Sequence, residues 1–182
     1  HAKADMTMWK GGGLSGVPWG RPLFCMRTYS KITPEGTRDL LFEECRARRE
    51  AQERLSRLFN LRGYREVITP GLEYFDVFNL PGSAISQQEM YKCTDNHGRL
   101  LVFRPDSTLP IARMAASRLQ GREKPLRFFY SQTIYRNRPD LSGRNDESAQ
   151  MGIELMGAGG IRADLEVIST AVAALAGCVR AF

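Results

Sequence analysis

Apolar and polar positions alternate strictly near the end of the chain, and this alternation predicts a half-buried β-strand beginning at Glu147. A period of two residues places the two sets on opposite faces, so we expect the apolar set to pack on a core. The glycine in the polar set should let a ligand approach the backbone. The polar set is Ser148, Gln150, Gly152 and Glu154, and the apolar set is Ala149, Met151, Ile153 and Leu155.

The segment Phe128–Arg136 predicts a partner strand, because it is rich in the aromatic and β-branched residues that strands favour. Pro139 and Gly143 interrupt the pattern and indicate a loop between the two strands. Guanidinium groups in such a loop suit a small zwitterion or an anion such as phosphate. The arginines of this region are Arg136, Arg138 and Arg144.

Apolar residues at helical spacing predict a first helix that runs from an N-cap at Asp39 to about Leu61, where Gly63 ends it. A second helix opens in the segment 104–108, with Asp106 or Ser107 as its cap. Further predicted elements are a strand at Tyr64–Thr69, a hairpin of residues 89–94 and 99–103, and a last helix from Ala163 to about Ala176 with Leu165, Ile168, Val172 and Leu175 at helical spacing. The set predicts an α+β fold.

Two groups of polar residues could bind a ligand. Asp106, Ser107 and Thr108 bring a carboxylate and two hydroxyls to a helix start, where they would either cap the helix or bind an ammonium group. Gln150 and Glu154 lie about 13 Å apart along one strand, so they either hold opposite ends of a small ligand or face water.

The net charge of +6 first suggests a nucleic-acid partner. Residues 1–30 contribute +3 of it, and the remaining charges are mixed in sign, so nucleic acid is not the expected partner. The four cysteines have no CxxC spacing and the two histidines are His1 and His97, which argues against a zinc site, a disulfide scaffold and a His-dependent triad. No metal or cofactor is expected.

No segment reaches the ~20 apolar residues of a membrane span, and residues 1–25 lack the apolar run of a signal peptide. We therefore expect a cytoplasmic protein with reduced thiols. Met26 opens a segment typical of a natural protein start. Residues 1–25 are expected to be a non-native leader whose removal changes neither folding nor ligand affinity.

Several motifs in the order found here resemble class II aminoacyl-tRNA synthetases. Tyr135-Arg136, Gly143-Arg144 and Gln150-x-Gly152-x-Glu154 are similar to motif 2 of the histidyl form, and the loop YRNRPDLSGRNDE looks most like that of ATP phosphoribosyltransferase regulatory subunits. The resemblance covers residues 26 to about 177. It implies a class II antiparallel sheet flanked by helices, and that residues 26–182 are the N-terminal part of a longer domain without motif 3.

The resemblance also implies a binding site for L-histidine. In the synthetases, the positions of Asp106 and Thr108 bind the ammonium, that of Arg136 reaches the carboxylate and the ATP α-phosphate, and those of Gln150 and Glu154 hold histidine. Here Asp106 and Ser107 replace the usual Glu and Gly. The first helix and strand resemble motif 1, which forms the homodimer interface in class II synthetases.

Two departures from the synthetase pattern lie at the nucleotide end. Arg138 stands where a glutamate contacts adenine, and Ser148 stands where an aromatic ring stacks on it. The resemblance therefore favours a non-catalytic regulatory subunit that senses histidine and works with the short-form catalytic subunit of ATP phosphoribosyltransferase, in the first step of histidine biosynthesis. The alternatives are a histidyl-tRNA synthetase, which would need ATP, and a dimerisation module without a ligand.

Overall fold

The computed structural model describes residues 32–81, 84–138 and 144–179, which from Pro34 onward belong to one compact unit, Pro34–Phe182. The leader 1–25 and the expected strand breakers Pro139 and Gly143 lie outside the described residues. The elements, in chain order, are α1 (Phe42–Leu61), β1 (Arg65–Glu66), β2 (Leu72–Tyr74), β3 (Lys92–Thr94), β4 (Leu100–Phe103), α2 (Thr108–Arg118), β5 (Leu126–Tyr135), β6 (Glu147–Met156) and α3 (Ile161–Val179).

The strands of the described residues form two three-stranded sheets. The first has the order β1-β5-β6, with β1 parallel to β5 and β5 antiparallel to β6. The second has the order β2-β4-β3 and is antiparallel throughout. The predicted α+β class is confirmed, although the strands divide into two sheets and one pairing is parallel. That parallel pairing is possible because the whole second sheet and α2 lie between β1 and β5 in the chain, which gives a long crossover.

The long hairpin of β5 and β6 organises the first sheet. Its register runs from Leu126 opposite Met156 to Tyr135 opposite Glu147. The predicted alternation is confirmed in the middle of β6, where Met151 and Ile153 pack against a core cluster beneath α1 and α3, but not at Ala149 near its start, which is exposed. The opposite face of the hairpin carries the polar set and meets α2.

Three apolar clusters fill the interior on the described residues. The first lies around the second sheet, the second between α1, α3 and the hairpin, and the third between α2 and the hairpin. Their buried members are Phe78, Ile85, Met90 and Val102, then Phe59, Tyr64 and Phe129, then Ile111, Phe128 and Tyr130.

The helix α1 begins later than expected, so the prediction of Asp39 as its N-cap is wrong. The helix starts at Phe42 with Leu41 in the N-cap position and no side-chain capping bond. Arg38 instead pairs with Glu44 at 2.6 Å, and Phe42 adopts a left-handed φ of 41°, so the chain turns into the helix after Asp39. The predicted end is confirmed, since Gly63 follows with a φ of 81°, which glycine tolerates without strain.

The buried side chain of Arg104 connects the two sheets. It follows β4 directly, and its Nε donates to the carbonyl of Thr133 in β5 at 2.7 Å. Its Nη1 donates to the carbonyl of Thr69 at 2.6 Å and also reaches the Gln132 side chain. Burial lowers the pKa of this guanidinium. One side chain therefore joins the end of β4, the middle of β5 and the segment before β2.

Candidate functional site

The candidate site lies where the start of α2 meets the polar face of the hairpin. Ser107 occupies the N-cap position of α2 and is fully buried, but its hydroxyl makes no capping bond. The carboxylate of Asp106 instead accepts the backbone N–H of Thr108 at 2.7 Å. The segment thus turns sharply into the helix, with Asp106 half-buried and Thr108 exposed at the surface.

Thr108 connects α2 to β6 through Glu154. Its Oγ1 donates a hydrogen bond to Glu154 Oε1 at 2.7 Å. Burial raises the pKa of the Glu154 carboxyl, the bond from Thr108 lowers it, and the neighbouring charge of Asp106 raises it again. Two carboxylates close enough to influence each other form a site that attracts a cationic group, such as an ammonium or a protonated ring.

Arg136 supplies the positive end of the site. It follows the last residue of β5, and its Nε donates to the carbonyl of Pro105 at 2.8 Å. Its Nη2 lies 3.9 Å from the Asp106 carboxylate, and its backbone N–H donates to the carbonyl of Asp146 at 2.8 Å. The guanidinium is therefore held against the Pro105–Asp106 turn and is only about a third exposed.

Gln150 lies on the same face, directly across the hairpin from Gln132. Its Oε1 is buried and has no hydrogen-bond partner among the described residues. An unpaired buried carbonyl oxygen is costly unless a ligand or water supplies a donor. The structure therefore brings Asp106, Thr108, Arg136 and Glu154 together by direct contacts, while Gln150 extends the same face toward the start of β6.

The sequence did not single out Tyr130, which lies across the hairpin from Gly152. A Cβ atom at position 152 would lie 2.5 Å from the Tyr130 hydroxyl oxygen. The gap that was expected to admit a ligand therefore holds a side chain from the neighbouring strand. Burial, the main cause, and the charges of Glu154 and Asp106 raise the pKa of Tyr130 to about 12. The alternation in β5 contained the signal, because Tyr130 shares a face with Phe128 and Gln132.

Arg138, at the position where the resemblance places an adenine contact, has a buried Nε without a hydrogen-bond partner among the described residues. Both Arg136 and Arg138 lower the pKa of Glu89, although its bonds to Ser86 are the larger cause. Ser148 faces another feature, a cavity of about 310 Å³ beside the start of β6. None of the six candidate residues lines that cavity; Arg38, Glu44, Arg48 and Glu147 are among those that do.

Metal and membrane features are absent from the ranges that the structure describes. Within them, no three His, Cys, Asp or Glu side chains gather as a group that could hold a metal ion. None of the helices there combines the length and the apolar character that crossing a bilayer would require.

A family profile described as histidyl-tRNA synthetase matches residues 36–180. The chain is 46% identical over 150 residues to a protein named ATP phosphoribosyltransferase regulatory subunit from Clostridium acetobutylicum, with 82% of this chain and 37% of that protein covered. A crystal structure titled ATP phosphoribosyltransferase regulatory subunit/histidyl-tRNA synthetase, from Bacillus halodurans, aligns with a TM-score of 0.76 and 38% identity over 84% of this chain and 39% of that one.

The apo histidyl-tRNA synthetase of Staphylococcus aureus aligns with a TM-score of 0.66 and 26% identity, over 79% of this chain and 33% of that one. These neighbours confirm the predicted class II fold. The chain spans less than two fifths of the length of each of these relatives.

Proposed function

The chain belongs to the histidyl-tRNA synthetase family, and from that premise we propose that it forms the histidine-binding part of an ATP phosphoribosyltransferase regulatory subunit. Relatives that carry this name at 41% and 46% identity support the assignment. The whole protein would bind the short-form catalytic subunit, which performs the first step of histidine biosynthesis, and would itself be non-catalytic.

The contact between Thr108 and Glu154 carries the proposal. The carboxylate of Glu154, whose pKa is raised, lies within electrostatic reach of Asp106, and Arg136 Nη2 lies 3.9 Å from the Asp106 carboxylate. An amino acid has the matching charges, since its ammonium would lie at Asp106 and Thr108 and its carboxylate at Arg136. Glu154 and Gln150 would then bind the imidazole N–H groups. Ser107 would contribute by fixing the turn between Asp106 and Thr108 from its buried position.

The residues at the nucleotide end of the site favour a subunit that senses histidine over an enzyme that activates it. Arg138 and Ser148 stand where the resemblance places two adenine contacts. The guanidinium of Arg138 cannot do the work of the carboxylate, and the small hydroxyl of Ser148 cannot do that of the stacking ring. A site that keeps the amino-acid contacts and loses the adenine contacts can bind histidine without activating it. Histidine would inhibit only if it binds the inhibited state of the assembly better than the active one.

We also propose a homodimer formed through the motif 1 region, α1 and β1. Four large apolar side chains in and around this region are highly exposed, which supports an interface. They are Leu41 at 58%, Phe42 at 79%, Leu61 at 81% and Ile68 at 77%. A cytoplasmic location is proposed from the free thiols of Cys45, Cys93 and Cys178.

Calorimetric titration of L-histidine and, separately, of ATP into the protein tests the assignment. Binding of histidine without ATP is the expected result, and Gln150→Ala or Glu154→Ala should abolish it. Glu147→Ala, at the exposed start of the same strand, is the matched control and should retain binding. Failure of histidine to bind would contradict the proposal.

The alternative is a histidyl-tRNA synthetase, favoured by the alignment with the Staphylococcus aureus enzyme. Binding of both ligands, together with histidine-dependent pyrophosphate exchange, would establish that alternative.

A further inference from the structure

A segment that leads into the second sheet spans the loop end of the β5–β6 hairpin, where Arg136 lies. This segment is residues 88–91, directly before β3. On the β5 side, Asn137 donates its backbone N–H and its Nδ2 to two successive carbonyls of the segment, at 2.9 and 3.0 Å. On the β6 side, the hydroxyl of Tyr91 donates to the carboxylate of Asp146. The segment is therefore attached to both strands at this end of the hairpin.

Asp146 is the point at which these attachments meet Arg136. Besides the side-chain bond from Tyr91, its backbone N–H donates to the carbonyl of Gly36 at 2.7 Å, and its carbonyl accepts the backbone N–H of Arg136 at 2.8 Å. A Cβ atom at position 36 would lie 2.5 Å from Asp146 Cγ. The Asp146 side chain thus occupies space that a glycine leaves open, and it is packed as well as hydrogen-bonded.

The direction in which the Arg136 side chain points depends on two attachments. Its backbone N–H is bonded to Asp146, and its Nε donates to the carbonyl of Pro105 at 2.8 Å. Since Nε is already bonded, the two terminal nitrogens are left to bind a ligand. A guanidinium binds a carboxylate through a planar fork, and such a fork has to be held to within about 0.5 Å by its neighbours. Loosening either attachment would change where the fork points.

We propose that Tyr91 and Asp146 are positioning residues, whose hydrogen bond holds the backbone at Arg136 in the place from which the guanidinium binds the carboxylate of the ligand. This inference rests on the proposed function in taking L-histidine as that ligand. Tyr91 acts on Arg136 through Asp146, and Asn137 holds the other strand of the hairpin against the same segment.

The phenol of Tyr91 reports on the hydrogen bond without any ligand. The bond to Asp146 is the largest cause that raises the pKa of Tyr91 to about 12, followed by burial and by the charges of Asp146 and Glu35. Replacing the carboxylate by an amide should therefore return this pKa toward the ordinary tyrosine value of about 10. Tyr91 is 36% exposed, so the loss of its hydroxyl leaves no buried void.

The first test follows the ionisation of Tyr91 by carbon NMR of labelled tyrosine, with the resonance assigned through Tyr91→Phe. At pH 10, about half of Tyr91 should be ionised in Asp146→Asn, against about 1% in the unmodified protein. Circular dichroism at the same pH establishes that both proteins are folded. Equal ionisation in the two folded proteins would overturn the inference, whether or not histidine binds.

The second test compares L-histidine with L-histidinol, which carries a hydroxymethyl group in place of the carboxylate. Tyr91→Phe, which leaves every charge in place, should weaken histidine binding by about threefold to tenfold, the effect of losing one hydrogen bond. It should leave histidinol binding unchanged. The double variant Tyr91→Phe/Asp146→Asn should bind histidine no more weakly than Asp146→Asn alone, because the two residues act through one bond.

Tyr74→Phe is the matched control, since Tyr74 is an exposed tyrosine of β2 outside the segment 88–91, and it should change neither affinity. Equal losses for both ligands in Tyr91→Phe would mean that the hydroxyl supports the fold rather than the carboxylate contact, and would overturn the inference. An unchanged histidine affinity in that variant would overturn it as well. Absence of histidine binding to the unmodified protein would instead refute the proposed function, together with the positioning role.

Discussion

Gly152 determines the shape of the candidate site because its missing side chain makes room for a residue from the next strand. The Tyr130 hydroxyl lies where a Cβ at this position would be, and the register sets the two residues directly opposite each other. A glycine in a strand often marks the close approach of another group. Here the approaching group belongs to the protein, so the glycine contributes to packing and to the site at once.

Gly152→Ala is expected to lower the free energy of unfolding by about 1–3 kcal/mol, because the added methyl overpacks against the buried Tyr130 ring. Urea unfolding measures the change. Gly121→Ala is the matched control, since a Cβ there would meet nothing within 4 Å, and it should change stability little. Equal stabilities of the two variants would show that Tyr130 can move aside without cost.

Glu154 is expected to make stability depend on pH. Burial raises its pKa in the folded state, so the folded chain binds this proton more tightly than the unfolded chain does. The resulting stabilisation is present at pH values below the unfolded pKa and is lost as the pH rises through the folded pKa. Glu154→Gln, which cannot ionise, should therefore gain stability relative to the unmodified protein as the pH rises above about 4.3, the ordinary pKa of a glutamate. A pH-independent difference in urea unfolding would contradict this.

At the scale of elements, α3 shows that the apolar spacing that predicts a helix need not mark the buried face of that helix. The predicted helix is present at Ile161–Val179, but the apolar stripe that indicated it faces outward. Its members are Leu165 at 59%, Ile168 at 58%, Val172 at 60% and Leu175 at 67% exposed. The core is contacted instead by the small residues Thr170 and Ala174.

Ile168→Gln should therefore change the free energy of unfolding by no more than about 0.5 kcal/mol, because that side chain is already largely in water. Ala174→Gln in the same helix is the matched control, and it should cost about 1–3 kcal/mol by overpacking the cluster around Phe129. A large loss in Ile168→Gln would mean that the stripe is covered in solution.

Local patterns predicted most of the elements and part of the site. Alternation placed Gln150 and Glu154 on one face of β6, and glycine chemistry ended α1 at Gly63, because both features depend on neighbours in the chain. The Tyr130 contact, the division into two sheets and the outward stripe of α3 depend on pairing between distant segments. Asp39 failed as a cap for a local reason instead, since the Arg38–Glu44 pair and the left-handed backbone of Phe42 set the helix start.

At the scale of the whole molecule, the two sheets are joined by a cation whose hydrogen-bond acceptors in the structure are all uncharged. Arg104 is 8% exposed, and its hydrogen bonds go to backbone carbonyls on both sides and to the Gln132 amide. The fork geometry of a guanidinium allows these several bonds at once, whereas an ammonium is a single point donor. The backbone of Arg104 also holds the end of β5 next to the turn at Asp106, since the backbone N–H of Tyr135 donates to the carbonyl of Arg104 at 3.0 Å.

Arg104→Met should lower the free energy of unfolding by about 3 kcal/mol or more, because it removes the donors and leaves buried carbonyls unpaired. Arg104→Lys keeps the charge but loses the fork, so its loss should be intermediate. Arg99→Met, which removes an exposed arginine paired with Asp95, is the control and should cost less than about 1 kcal/mol. If urea unfolding gave similar values for Arg104→Met and Arg99→Met, the two sheets would be held together by their apolar clusters, and the buried cation would have no structural role at the joint.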